Sequence, residues 1–272
     1  MGSSSSTPDP STAVTLKDRR DVDPGIGLDL LPLGVGDAFS AVHYSTCLAL
    51  RAEGRWLLVD CPHPIRKMMR EASLRSGIEL DIDGVEAVAL THLHADHASG
   101  VEDYGFFSHF VLGRRARIAA HPAVTERLWS SHLAGAMEQL LGPDGGIVLR
   151  NLDTYFEIVS LDEGSPVAVG PFAIECRRTR HHIPTTAFRI RAGGRIIGCS
   201  ADTSFDPELI AWLGEADLVV HETGPGAHTA PERLAELPAA LRARMRLAHF
   251  PDYLDPVSVP IERLEEGRLY AV

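Results

Sequence analysis

The stretch Thr91-His92-Leu93-His94-Ala95-Asp96-His97 constrains this chain more than any other, because it follows directly on the apolar run Val85 to Leu90. A buried strand that ends in three imidazoles and one carboxylate within six residues puts several Lewis bases where a loop can curl them around a cation. Ordinary core packing asks for no such residues. Neutral imidazole and carboxylate are ligands that suit zinc, or iron and manganese in a harder site. Four of them in one loop exceed the three protein ligands of a single catalytic zinc that keeps its fourth position open, so the pattern points to two metals.

The segments around this loop set the fold class. Residues 1–25 are rich in Ser, Thr, Pro and Asp without hydrophobic periodicity, which predicts a flexible tail and leaves 26–272 as one domain. Leu28 to Leu33, Thr46 to Arg51 and Trp56 to Asp60 predict strands, the last two joined at Glu53-Gly54, and Pro64 to Ser76 predicts a helix ending before Gly77. Beyond the histidine loop, Val101 to Phe107 predicts a helix or lid and Arg117 to Ala120 a strand. Pro122 to Leu141 predicts one long helix, with Pro122 near its first turn and Gly142-Pro143 after its end. A β-rich half follows: Tyr155 to Leu161, Val167 to Val169, Phe172 to Arg178, Thr186 to Arg191 and Arg195 to Cys199, with Gly193-Gly194 closing the last pair. Helix Pro207 to Leu213, strand Leu218 to Val220, helix Pro231 to Arg244, strand Arg246 to His249 and a short helix near Val257 to Glu266 complete the reading. Two successive β-rich halves, each finishing in strand and helix, predict an α/β protein with two sheets face to face and helices outside, an αββα four-layer sandwich.

Histidine and acidic residues recur at four more strand ends, in Arg180-His181-His182-Ile183-Pro184, Ser200-Ala201-Asp202-Thr203, Val220-His221-Glu222-Thr223 and Ala248-His249-Phe250. Each follows an apolar or β-like run, so each can deliver a side chain to the same edge of the sandwich. Together with Gly34-Val35-Gly36-Asp37-Ala38-Phe39 and Leu57-Leu58-Val59-Asp60-Cys61, these pieces resemble the metallo-β-lactamase superfamily across nearly all of the chain after Ile26. The closest likeness is to its phosphodiesterase branch, the ribonuclease Z-like group.

That resemblance implies a hydrolase with two zinc ions, manganese or iron being the alternatives. It implies His92, His94 and His181 as ligands of one metal, Asp96, His97 and His249 as ligands of the second, and Asp202 as the bridge. In similar sequences the ligand stands three residues before a proline, which favours His181. Adjacent residues on an extended segment point to opposite sides, so His182 is left as a supporting or substrate-facing group, and the sequence keeps both open. Asp60 stands where the superfamily carries an aspartate that supports the metal histidines, although a turn-forming role at a strand end fits it equally well. The catalytic residues implied are Asp96, His221, Glu222 and His228. A departing alkoxide needs a proton, for which His228 is the favoured donor, with His221 and Glu222 orienting it. His43, His63, His109, His121 and His132 match no ligand position.

Composition bears on the substrate. A formal charge of −11 disfavours a broad grip on a polyphosphate backbone, which rests on many Lys and Arg contacts. A tRNA-processing ribonuclease Z is expected to carry a long basic arm, whereas the interval after His121 offers few basic residues. A small or cyclic phosphodiester is therefore the expected substrate. A tRNA 3′-processing endonuclease and a lactone or acyl hydrolase on the same metals are the alternatives; a non-catalytic scaffold would have lost ligands. No run approaches the roughly 18 apolar residues of a membrane span, and the N-terminus lacks a signal-like order, so a soluble, cytoplasmic protein is expected. The resembled group makes a homodimer a further expectation. Cys47, Cys61, Cys176 and Cys199 are widely spaced and read as small buried hydrophobes rather than a disulfide framework.

Overall fold

Successive residues of the early strands are buried on opposite faces. Leu30, Leu48, Leu50 and Leu57 enter one apolar core, and their neighbours Leu31, Ala49 and Leu58 enter a second. Because side chains alternate across a strand, a sheet with both faces buried must be covered on both sides. The computed structural model, which describes residues 27–255 and 259–272, shows what covers it. The tail predicted for 1–25 lies outside the described residues.

The strands in chain order are β1 (Asp29–Gly34), β2 (Cys47–Ala52), β3 (Arg55–Val59), β4 (Val85–Ala89), β5 (Ala116–Ala120), β6 (Gln139–Leu141), β7 (Ile147–Leu149), β8 (Phe156–Ser160), β9 (Val167–Val169), β10 (Phe172–Arg178), β11 (Thr186–Ala192), β12 (Arg195–Cys199), β13 (Leu218–Glu222), β14 (Met245–Ala248), β15 (Glu262–Arg263) and β16 (Tyr270–Ala271). The first sheet has the order β16-β1-β2-β3-β4-β5-β8 and the second β15-β14-β13-β12-β11-β10-β9. Each is antiparallel on one side and parallel on the other: β3, β4, β5 and β8 run together, as do β12 to β15. Phe172, Ile174, Phe188 and Ile190 of the second sheet share the core of Leu30 and Leu50, so the sheets pack face to face. Met68, Met69 and Tyr104, from the helices Ile65–Ser76 and Val101–Phe110, cover the far face of the first sheet. Leu209, Ile210 and Leu213, from helix Pro207–Leu213, close the far side of the second. The expected αββα sandwich is the observed fold.

Three expected helices differ from what forms. Pro122 to Leu141 is helical only to Met137, with a π-turn at Trp129–Leu133 separating helices Pro122–Leu128 and Ala134–Met137. Its last residues instead form β6, paired with β7 around the turn at Gly142 and Gly145. Helical spacing of the apolar residues hid this hairpin, whose outer face leaves Leu141 76%, Ile147 62% and Leu149 72% exposed. Pro231 to Arg244 is two short helices, Pro231–Ala235 and Ala239–Arg242, because Pro238 lacks the N–H to continue the first and caps the second. The helix expected near Val257 to Glu266 is, among the described residues, the short strand β15, whereas Val257 lies outside them.

All four cysteines are free and buried, as their spacing predicts. Among the described residues no helix is long and apolar enough to cross a membrane.

Candidate metal centre

Topology brings the chemistry-bearing residues to one edge. Strand β4 leads into His92, β12 into Asp202, β13 ends at Glu222 and β14 leads into His249, all at the carboxyl ends of parallel strands. Strand β11 runs the other way, so His181 and His182, just before its start, reach the same edge. Ligand sites in parallel sheets gather at such carboxyl ends. Asp60, Ala201 and His249 turn the chain there with φ of 63°, 52° and 50°. For residues with a β-carbon this left-handed conformation costs roughly 1–2 kcal/mol each, and that strain is concentrated where the strand ends must aim a side chain.

Asp60 is the support at the base of the loop. It accepts hydrogen bonds from the Thr91 backbone N–H at 2.8 Å, from the Thr91 hydroxyl at 2.8 Å and from His97 Nδ1 at 2.7 Å. Having donated its one proton to Asp60, the Thr91 hydroxyl can only accept from His92 Nδ1, 2.9 Å away. Both rings thereby have Nδ1 committed and Nε2 directed inward; that of His97 faces Asp96 and Asp202 at 3.3 Å, and although burial opposes it, Asp202 and Asp60 raise the His97 pKa well above the ordinary histidine value. The short helix Ala95–Ala98 is pressed against the end of β3 by hydrogen bonds between Cys61 N and His97 O and between Gly100 N and Cys61 O, each 2.8 Å. A β-carbon on Gly100 would meet Pro62 O at 2.5 Å, so only glycine permits this approach.

Three donor groups result. His92, His94, His181 and Asp202 form one, Asp96, His97 and His249 a second, and Asp202, His228 and His249 a third that shares a member with each, with the ligand atoms of each group within 4.8 Å of one another. Asp202 touches the first two: Oδ2 lies 3.7 Å from His92 Nε2 and 3.8 Å from His181 Nε2, and Oδ1 lies 3.3 Å from His97 Nε2 and 3.6 Å from His249 Nε2. These residues fit divalent ions. His97 Nε2 and Asp202 Oδ1 are buried without a well-aligned hydrogen bond although they lie so close together, as expected of atoms aimed at a common point between them. Burial and the neighbouring His97 ring push His92 well below the ordinary histidine value, and burial takes His181 to about 4, so both are neutral and ready to ligate. Burial alone would raise the Asp202 carboxyl, but the adjoining His97, His249 and His92 hold it far below the usual carboxylate range.

Beside Asp202 stands a second pair. His228 Nδ1 lies 3.1 Å from both Glu222 oxygens and 3.9 Å from Asp202 Oδ2. Glu222 is itself held by the Thr203 N–H, at 2.6 Å, and its own N–H donates to Ser200 Oγ. The hydrogen bond to Glu222 raises the His228 pKa, and burial raises that of Glu222. His221 does not join them. Its Nδ1 donates to the Glu222 carbonyl at 2.7 Å, and burial lowers its pKa to about 4, so Glu222 alone orients His228. Strand alternation accounts for this, since neighbours on β13 face opposite ways. Thr91 and Thr203 are supports that sequence reading passed over; a hydroxyl directly before His92 was the available signal for the first. His63, near the end of β3, is exposed and pairs with Asp103 at 2.8 Å.

Residues 28–267 match the family described as anti-Pycsar protein Apyc1. The chain belongs to that family. It is 28% identical over 256 residues to the anti-Pycsar protein Apyc1 of Saccharibacillus brassicae, covering 90% of this chain and 100% of that one. Among solved structures, the metallo-β-lactamase fold protein YhfI from Bacillus subtilis superposes with a TM-score of 0.72 at 18% identity, over 90% of this chain and 100% of that one. The human short-form tRNase Z superposes with a TM-score of 0.62 at 20% identity, over 89% and 98%. The fold of this Apyc1-family chain is therefore the metallo-β-lactamase fold, as the histidine loop implied.

Proposed function

We propose that this chain is a metal-dependent phosphodiesterase that opens a small cyclic phosphodiester of the cyclic-nucleotide class. His92, His94 and His181 would hold one divalent ion, Asp96, His97 and His249 a second, and Asp202 would contact both; zinc suits these donors best, manganese or iron next. Such ions, when bound, supply an acidified water and positive charge for the phosphoryl oxygens. The chain's own residues do the rest. His228 is the proton donor: Glu222 fixes its Nδ1–H, leaves Nε2 directed elsewhere and favours the protonated ring, whose Nε2 proton would pass to a departing alkoxide. Buried Glu222, fixed by the Thr203 N–H, keeps that ring from swinging away.

The observation that carries this reading is the position of Asp202, between two groups of convergent imidazoles and beside the Glu222–His228 pair. Membership of the Apyc1 family supports a small cyclic substrate. The segment after β5 gives no support to a tRNA-gripping arm, since its hairpin presents Leu141, Ile147 and Leu149 rather than basic side chains.

The test is a substrate panel of 3′,5′- and 2′,3′-cyclic nucleotides, bis-p-nitrophenyl phosphate, precursor tRNA and simple lactones, run on metal-loaded wild type, chelator-treated protein and Asp202→Ala. Turnover of a cyclic nucleotide is expected, with loss on chelation and on Asp202→Ala. Activity confined to lactones or to precursor tRNA would sink the proposal.

A further inference from the structure

The rings of the histidine loop share a pattern. A metal-binding imidazole offers one nitrogen to the ion and has its other N–H held by a partner that sets the tautomer and the ring plane. For His97 that partner is Asp60, and for His92 it is the Thr91 hydroxyl. Both partners are buried and lie on the first sheet's side of the loop.

His94 is different. Its Nδ1 faces the donor group, 3.0 Å from His92 Nε2 and 3.3 Å from His181 Nε2. Its Nε2 points outward, where neither Asp60 nor Thr91 reaches it. There it lies 3.1 Å from Nε2 of His182, and the two ring centroids are 4.7 Å apart. His182 meets this outer nitrogen and is absent from the donor group, whereas His181, whose ring centroid is 4.1 Å from that of His182, is part of it. The two adjacent histidines thus do different things: they sit together in a bend, from which His181 faces Asp202 and His182 the outer nitrogen of His94.

We propose that His182 is the positioning residue for His94. Its Nε2 lone pair accepts the His94 Nε2–H, which leaves the His94 lone pair on Nδ1, facing His92, His181 and Asp202. Because His182 enters just before β11 of the second sheet and His94 follows β4 of the first, the contact also ties the loop across the seam between the sheets. His182 is exposed and His94 half-buried, so water can partly replace the missing acceptor. The effect of removing it therefore belongs at the lower end of the 10- to 100-fold range seen when such supporting partners are lost.

This inference rests on the reading of the first two donor groups as a metal site, and metal binding itself, without substrate, tests it. Zn²⁺ is titrated calorimetrically into metal-free wild type, His182→Ala and His182→Gln, and Co²⁺ absorption is recorded for each. In His182→Ala one of the two ions is expected to bind about tenfold more weakly while the other is unchanged, with an altered Co²⁺ spectrum. Glutamine places an amide oxygen near the former Nε2, so His182→Gln should recover most of the affinity and the wild-type spectrum. As an exposed side chain, His182 should be replaceable without a change in melting temperature of the metal-free protein. Wild-type affinity in His182→Ala overturns the proposal and leaves the metal reading standing. The same holds if His182→Gln is no better than His182→Ala, since that outcome makes His182 a ligand. A wild-type protein that takes up no ion overturns both.

Discussion

Strands β4 and β5 lie side by side, run in the same direction and leave the first sheet at the same edge, yet the segments that follow them have opposite fates. After β4 the chain turns inward, and His92 and His97 are 0% and 1% exposed. After β5 it runs outward into two short helices, a π-turn and a hairpin whose large aliphatic side chains face solvent. The difference lies in what each segment finds to bond with. The histidine loop carries polar groups into the interior because Asp60 and Thr91 satisfy them there. The excursion is tied down by fewer such bonds: His132 Nε2 to the Ala98 carbonyl at 3.1 Å and the Tyr155 hydroxyl to the Met137 carbonyl at 3.0 Å. Chemistry resides in the segment that is held from within, and the excursion is free to differ in its surface.

The comparison breaks if the support beneath the first segment proves dispensable. Asp60→Ala would leave buried His97 and Thr91 without their acceptor, and a loss of about 3 kcal/mol in unfolding free energy is expected by denaturant titration. Metal affinity should fall with it. An unaltered midpoint would mean that the loop is held by something else. Next in size is His228→Ala, expected to slow turnover of a cyclic nucleotide about 100-fold while metal content, read by elemental analysis, stays that of wild type. Equal slowing on substrates with good leaving groups, which need no proton, would assign His228 to positioning instead. On the excursion the effects should be smaller. Tyr155→Phe removes one buried hydrogen bond and should cost about 1 kcal/mol, measurable by thermal unfolding. Smallest of all, Leu141→Ser with Leu149→Ser should change stability by no more than about 0.5 kcal/mol each, since both side chains are already in water. If that pair altered stability as much as Asp60→Ala, the contrast between the two segments would be lost.

How far the sequence revealed all this depended on period and chemistry. The sandwich was legible because strands such as β10 and β11 are bounded by glycine turns and contain no competing helical pattern. The gathering of these histidines and acids at one edge was legible because histidines at strand ends have no packing rationale. The β6–β7 hairpin was not, since Leu133, Met137, Leu140 and Leu141 satisfy helical spacing and only the tertiary environment breaks the helix. Nor was the choice between His221 and Glu222. Both sit in one short motif, and the register of β13, which no local signal fixes, decides that Glu222 and not His221 meets His228.

The proposed donors come from both sheets: His92, His94, Asp96 and His97 follow β4 of one, whereas His181, Asp202 and His249 belong to the other. Neither of the two proposed metal groups is completed by one half of the sandwich alone. An ion held by ligands from both halves would thus be a fastener across the interface, and a chain whose sheets have slid apart would lose either proposed group. By mass action, free metal at a hundred times its dissociation constant would favour the closed sandwich by ~2.7 kcal/mol per site. The fold's own heat resistance then becomes a gauge of the metal supply around it.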